Sequence, residues 1–420
     1  MSLNPTRDVL PNGVAVLVKR SSTTPAVTLH ANIHAGTVFD PPGQPGLAHF
    51  ASRVIDRGTA SRSADDIATE LDSGGVGLTV TVNRHVMSLV WTCLVEDFDR
   101  MLSLVGEIIM APAFAPDQVE SRRPGILTQI GQDEDNPAAV AAEGLMALLY
   151  GEDHPYGRRP RGTAASVRAI DAPALAAFHR RHVVPAALSL AVVGDIDVSR
   201  AVDAATGVFG GWKAVPAPRL DLPLPPPATT RRTRVVPMMN KSQADIAYGF
   251  TSITRADPDY YAFWLMNNVL GQYAIGGRLG DSIRERQGMA YYAMSALDAN
   301  VIPGPLLIRA GVNPANVQKA LASIDAEVRS MAETGPTEIE MRESMQYLIG
   351  SMPRTLETNA HIASFLQTVE FFGLGLDYDV RVPDLLRAVT HDHVVAAARR
   401  TLDPSKAAVV VAGPFDGAIA

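Results

Sequence analysis

The sequence predicts an α+β fold of two tandem domains of like build, each a mainly antiparallel sheet packed with helices. Three observations predict it. First, the run Ala214 to Ala228 at the midpoint holds six prolines. Proline lacks an N–H and fixes φ, so this run sustains neither a helix nor a central strand and reads as a semi-rigid linker. It places domains at 1–213 and 231–420, joined by 214–230. Second, the halves repeat at one offset. Ala191-Val192-Val193-Gly194-Asp195 falls on Val410-Val411-Ala412-Gly413-Pro414, and Asp97 to Leu102 falls on Asn316 to Leu321. One offset at two places points to a tandem duplication. Third, strand pairs are followed by helices within a half, which argues for α+β layers rather than a doubly wound parallel sheet.

Taken in order, Gly13 to Val18 and Ala26 to Ile33 alternate like half-buried strands. Gly46 to Asp56 reads as a helix with Gly58 as its stop. Leu78 to Asn83 and Val86 to Trp91 read as a strand pair around Arg84-His85, and helices follow at Phe98 to Met110 and Ala138 to Tyr150. The segment from Gly77 to Asn83 follows Gly74-Gly75, alternates Leu78, Val80 and Val82 with Thr79 and Thr81, and has the character of a sheet edge.

At 420 residues the chain exceeds one compact core. A composition 47% hydrophobic and 19% charged is that of an ordinary folded protein, and a net charge of −7 argues against nucleic acid or an anionic membrane as partner. The lone Cys93, in the apolar run Val90 to Leu94, excludes an intramolecular disulfide and a cysteine-cage metal site, and reads as a core residue. No apolar run reaches the ~18–20 residues that span a bilayer. Met1-Ser2-Leu3-Asn4 holds no apolar signal core. The compartment stays open between two alternatives: the cytoplasm for the chain as it stands, or the periplasm if a leader preceded it.

The informative motif is Gly46-Leu47-Ala48-His49-Phe50-Ala51-Ser52-Arg53. Its frame resembles G-L-A-H-F-x-E-H, the start of the inverted zinc motif H-x-x-E-H, in which two histidines one helical turn apart bind zinc and the glutamate activates water. Positions 49, 52 and 53 share one helix face. Ser52 stands where the base belongs, and Arg53 stands where the second ligand belongs. A serine is no carboxylate base, and a guanidinium donates only and repels a metal cation.

These residues, with Leu10-Pro11-Asn12-Gly13, Gly46 to Thr59, His154-Pro155-Tyr156-Gly157 and Val192 to Asp195, resemble the pitrilysin/insulinase family of zinc peptidases, which includes the mitochondrial processing peptidase, over nearly the whole length. The resemblance implies a metallohydrolase-type fold of two homologous domains. It also implies a third zinc ligand, a glutamate seven residues before the Asn of an E-D-N-P-like segment. Here Asp135-Asn136-Pro137 is present, and Gln129 stands at the ligand position. Pro124-Gly125 in the same helix is expected to kink or break it. Of three ligands and one base only His49 survives, so this chain is expected to bind no metal. A cryptic site pairing His49 with His85 or His154 is the weaker alternative.

In the second half, Gly276 to Tyr292 contains Arg284-Glu285-Arg286-Gln287-Gly288-Met289-Ala290-Tyr291. Gly276-Gly277 lacks the lysine and spacing of a phosphate loop. The family carries an Arg and a Tyr seven residues apart in R-E-x-x-G-x-A-Y-like text, and Arg284 and Tyr291 match it. The resemblance implies that such a pair hydrogen-bonds the substrate backbone and helps hold the oxyanion at a zinc site in the other domain or in a partner subunit. It further implies that extended peptide adds as a strand along Leu78, Thr79, Val80, Thr81 and Val82. The reading is therefore a substrate-binding, transition-state-assisting subunit of a heterodimeric zinc peptidase. The homologous partner would carry an intact H-x-x-E-H and the zinc. A structural or peptide-binding module of the same family is the alternative, and an independent hydrolase is the remote one.

Overall fold

The computed structural model describes residues 2–273 and 276–419; Ile275, Ala274 and the two terminal residues lie outside the described residues. The first sheet comprises β1 (Thr6–Val9), β2 (Ala15–Arg20), β3 (Ala26–Ile33), β4 (Thr79–Val82), β5 (Met87–Leu94) and β6 (Leu188–Gly194), in the order β1-β2-β6-β3-β5-β4. The second comprises β7 (Arg232–Pro237), β8 (Ala244–Thr251), β9 (Ala290–Leu297), β10 (Pro305–Val312) and β11 (Ala408–Gly413), in the order β7-β11-β8-β10-β9. Without β1, the two orders match strand for strand. Each has one parallel pair, β2/β6 or β7/β11, and antiparallel neighbours elsewhere. The α+β reading with two homologous sheets therefore holds.

The repeated glycines explain part of the duplication physically. Gly194 and Gly413 end β6 and β11 at φ +155° and +135°. A Cβ at Gly194 would sit 2.2 Å from the Ala26 carbonyl oxygen, and one at Gly413 would sit 2.6 Å from that of Gln243. Both places need a bare backbone against the neighbouring strand. Asp97 and Asn316 both stand at the start of a helix, Phe98–Met110 and Val317–Thr334, after a short 3₁₀ turn.

Three elements differ from expectation. The first predicted strand begins two residues late because Leu10 to Val14 forms a turn, with Gly13 N–H to Leu10 O at 2.8 Å and Leu10 N–H to Val14 O at 2.9 Å. β1 precedes it although all four of its residues are exposed; only its ladder with β2 defines it. Pro124 lies inside a helix, Pro116–Glu134, that continues through it. Buried Val119, Ile126 and Ile130 on both sides of Pro124 hold that helix to the core, which offsets the one missing hydrogen bond.

Two compact units result. The first takes the chain through Ile130, then Arg159–Asp221 and Pro353–Val380; the second takes Gly131–Arg158, Leu222–Met352 and the chain from Arg381. Each unit thus borrows a helix from the opposite half of the sequence. Pro137–Tyr150 packs on β8 and β11, where a Cβ at Gly144 would meet Val410 Cγ1 at 3.2 Å. Asn359–Phe372 packs on β3 and β6. Its Ile362, Ala363 and Leu366 cover Leu17, Ala191 and Val193, all fully buried on the first sheet. Buried Gln367 donates to the His30 and Ser189 carbonyls and accepts from Ser189 Oγ at 2.6 Å. Phe371 meets the rings of His34 and His85 at 5.4 and 5.8 Å.

Burial makes His85 hard to charge, and Arg84 and His34 add to it; its pKa falls to about 4, and burial lowers His34 in the same sense. His182, packed between Phe39 and Phe178, also falls to about 4, chiefly by burial. In the unfolded chain these imidazoles titrate near 6.5. The unfolded state then takes up protons that the folded state refuses. Their stabilisation is complete above pH 6.5 and is lost as the pH falls toward 4, by up to about 1.4 kcal/mol per pH unit for each histidine. The urea midpoint should accordingly drop between pH 6.5 and 5; a flat midpoint over that range would contradict the burial of these rings. Cys93 lies in the core of β5, as expected, its thiol pushed up to about 12 by burial. Among the described residues no helix is long and apolar enough to cross a membrane.

Candidate functional site

The degenerate motif lies on the helix Leu47–Val54 of the first unit. Asp40, itself buried, starts this helix by accepting from Gly46 N–H at 2.7 Å and Ala48 N–H at 2.8 Å, two donors that a helix leaves orphaned. Gly46 stands at φ +91°, and a Cβ there would lie 2.5 Å from the Arg161 carbonyl oxygen, so the Arg161-Gly162 segment is pressed onto the helix start. Leu47, Ala48, Phe50, Ala51 and Val54 face the core. The helix also packs against β4, the edge of the first sheet.

The four degenerate positions separate. Ser52 is 2% exposed, and its hydroxyl donates to the His49 carbonyl at 2.7 Å; it is spent on its own helix. His49, Arg53 and Gln129 line one cavity of about 280 Å³ with Ser121, Arg122, Gly125, Ile126 and Arg161. The helix Pro116–Glu134 supplies most of the facing wall. Arg123 fixes its rotation by stacking on Phe50 at 5.1 Å and donating to the Val167 and Ile170 carbonyls. Arg122 and Gln129 then fall on the cavity side.

No carboxylate lines this cavity, whereas three arginines do. Burial, then the charges of Arg57 and Arg53, hold Arg122 below its ordinary range, with Asp56 acting the other way. One imidazole, one amide and three guanidiniums do not fit zinc, which takes thiolate, imidazole and carboxylate donors. Among the described residues no group of three or more His, Cys, Asp or Glu is placed to hold a metal. The alternative histidines are engaged elsewhere: His85 sits against Phe371, and His154 contacts the Pro223 carbonyl at 2.9 Å through Nε2 while its Nδ1 accepts from Tyr156 N–H. Metal analysis of the purified chain is expected to find less than about one tenth of an equivalent of zinc; a stoichiometric, chelator-sensitive zinc would overturn this reading. Arg122 and Arg161 were not among the residues singled out from sequence. Arg122 stands seven before Gln129 on the same helix face, so periodicity could have found it. Arg161 sits in a loop and has no local signal.

β4 is an edge strand, as expected of Leu78 to Val82. Thr79 and Thr81 face solvent, while Leu78, Val80 and Val82 pack on the core. Its free edge presents unpaired backbone groups to an incoming strand.

In the second unit, Gly280–Arg286 is a π-helical turn, pinned by buried Ser282 and Ile283. The chain reverses at Gly288, φ +60°, where Gly288 N–H bonds Arg284 O and Met289 N–H bonds Ile283 O, both at 3.0 Å. This turn delivers the chain into β9, the edge of the second sheet. Arg284 is 42% exposed and contacts Glu285 at 3.4 Å. Tyr291 is 79% exposed. Its neighbour Tyr292 is the structural one, half-buried and donating to Asp245, with burial raising its pKa. The geometry leaves a guanidinium and a phenol open to an incoming acceptor on one surface turn-and-strand segment.

Comparison with known proteins agrees with this architecture. A model described as insulinase (peptidase family M16) matches residues 15–159, and one described as the peptidase M16 inactive domain matches 169–348. An uncharacterized zinc protease of Streptomyces coelicolor is 26% identical over 417 residues, 97% of this chain and 89% of the relative. One of Mycobacterium tuberculosis is 27% identical over 424 residues, 98% and 94%. The crystal structure of a peptidase M16 inactive domain from Pseudomonas fluorescens has a TM-score of 0.91 at 26% identity and covers 99% of both chains. A protease from Helicobacter pylori, at 16% identity and TM-score 0.91, shares the fold. With both halves matched and the whole fold shared, the chain belongs to the insulinase (M16) peptidase family.

Proposed function

We propose that this chain is the metal-free, substrate-binding subunit of a heterodimeric zinc peptidase acting on peptides. The observation that carries the proposal is an asymmetry within the molecule. The metal positions are replaced together, His49 excepted, by Ser52, Arg53 and Gln129, while Arg284 and Tyr291 stand exposed and ready to donate. A guanidinium and a phenol are apt donors to a developing oxyanion, since neither has to transfer a proton. The zinc and its glutamate base belong, on this reading, to a homologous partner with an intact H-x-x-E-H. The role of this chain is to hold extended peptide along β4 and to lend the two donors.

The test is to assay peptide cleavage by this chain alone, by the partner alone and by the two mixed. Activity is expected only in the mixture. Full activity of the partner alone would leave this chain as a structural or peptide-binding module, and a stable complex that cleaves nothing would have the same meaning.

A further inference from the structure

We propose that the cavity where the family's metal motif has been lost is an anion site, and that its ligand is the carboxylate of a peptide laid along β4. The proposal rests on the peptide-binding reading above for its ligand, but not for its chemistry. The cavity is lined by Arg53, Arg122 and Arg161, by the polar side chains of His49, Ser121 and Gln129, and by no carboxylate. Among the described residues no ion pair neutralises Arg53 or Arg122 in the way that Glu340 neutralises Arg278 elsewhere in the chain. Arg122 is half-buried beside Arg53 and Arg57, with Asp56, which pairs with Arg57 at 3.2 Å, acting the other way. The three lining arginines outnumber that one acid, and the wall is partly desolvated. Such a wall favours a bound oxyanion, which guanidiniums take in bidentate fashion. The cavity volume of about 280 Å³ exceeds what a carboxylate needs and leaves room for the residue that bears it. The ligand follows from position: the helix carrying His49 and Arg53 packs on β4, so a strand added to that edge runs beside the cavity.

The exchange is thus an inversion of sign. The family motif holds a cation with acidic and imidazole ligands; here the same place presents cations to an anion.

The test uses the full-length chain and a fluorescein-labelled decapeptide made both as the free C-terminal acid and as the amide. The acid is expected to bind about tenfold more tightly, a difference of about 1.4 kcal/mol. The double variant Arg53→Gln/Arg122→Gln should abolish that difference while leaving amide binding unchanged. Gly125→Met should do the same by filling the cavity, because a Cβ there meets nothing within 4 Å and the helix gains a better former. Inorganic phosphate, titrated by calorimetry without peptide, should bind the parent chain and not the double variant. Equal affinity for acid and amide together with no phosphate binding overturns the anion site. Phosphate binding that depends on the arginines, with neither peptide bound, retains the anion site and overturns the peptide ligand and the peptide-binding reading. An acid preference that survives both variants places the carboxylate elsewhere and overturns this site.

Discussion

Arg284→Ala, assayed in the reconstituted pair, is expected to lower kcat/KM by about 10²- to 10³-fold, the cost of removing one preorganised donor from an oxyanion. Tyr291→Phe should cost about tenfold or more by the same reasoning, since it deletes only the hydroxyl. The fall should lie mainly in kcat, because the interaction strengthens as charge develops on the substrate oxygen. The structure makes this a clean experiment. Arg284 is 42% exposed with a 3.4 Å contact to Glu285, and Tyr291 is 79% exposed, so neither substitution should move stability by more than about 0.5 kcal/mol. An unchanged rate with Arg284→Ala sinks the donor role. A rate lost together with the folded state sinks the inference from exposure.

The second large effect concerns Gln367. Gln367→Leu is expected to destabilise the first unit by about 2–4 kcal/mol. It removes the side-chain hydrogen bonds to the buried His30 and Ser189 carbonyls and to the Ser189 hydroxyl and returns none of them. Urea unfolding followed by tryptophan fluorescence reports it through the buried Trp91 on β5. Its counterpart at larger scale is the fragment 1–213, which lacks the helix Asn359–Phe372 and would bare Leu17, Ala191 and Val193. That fragment should aggregate or remain unfolded. A soluble, cooperative fragment together with a neutral Gln367→Leu would show that the borrowed helix is dispensable.

These residues also mark how far the sequence could be read. The helix Phe98–Met110 was legible to the residue because its 3.6-residue stripe is dictated by burial on one face. β3 was legible to the residue from its strand-favouring run, although the strand is buried on both faces rather than on one. The duplication was legible because Gly194 and Gly413 each serve a close backbone approach that no other residue allows. β1 was not legible, since its Thr6–Val9 side chains are all exposed and only hydrogen bonds to β2 define it. The borrowed helices could not be read either. The helix Asn359–Phe372 has an apolar face like any other, and nothing in its own residues says that the sheet it covers lies in the opposite half of the sequence. At the candidate site, the replacement of the metal-motif residues was plain from Ser52, Arg53 and Gln129. The cationic cavity was not, because it needs Arg161 from a distant loop brought in where Gly46 lets the backbones meet.

The helix exchange has a consequence for synthesis on the ribosome. The last strand of the first sheet closes at Gly194, yet the helix that seals it ends at Phe372, nearly half the chain later. At ~5–20 residues per second, the nascent first half waits on the order of 10–40 s with its apolar sheet face uncovered. It cannot mature domain by domain. A chain cut short before this helix is expected to leave Leu17, Ala191 and Val193 of the first sheet uncovered.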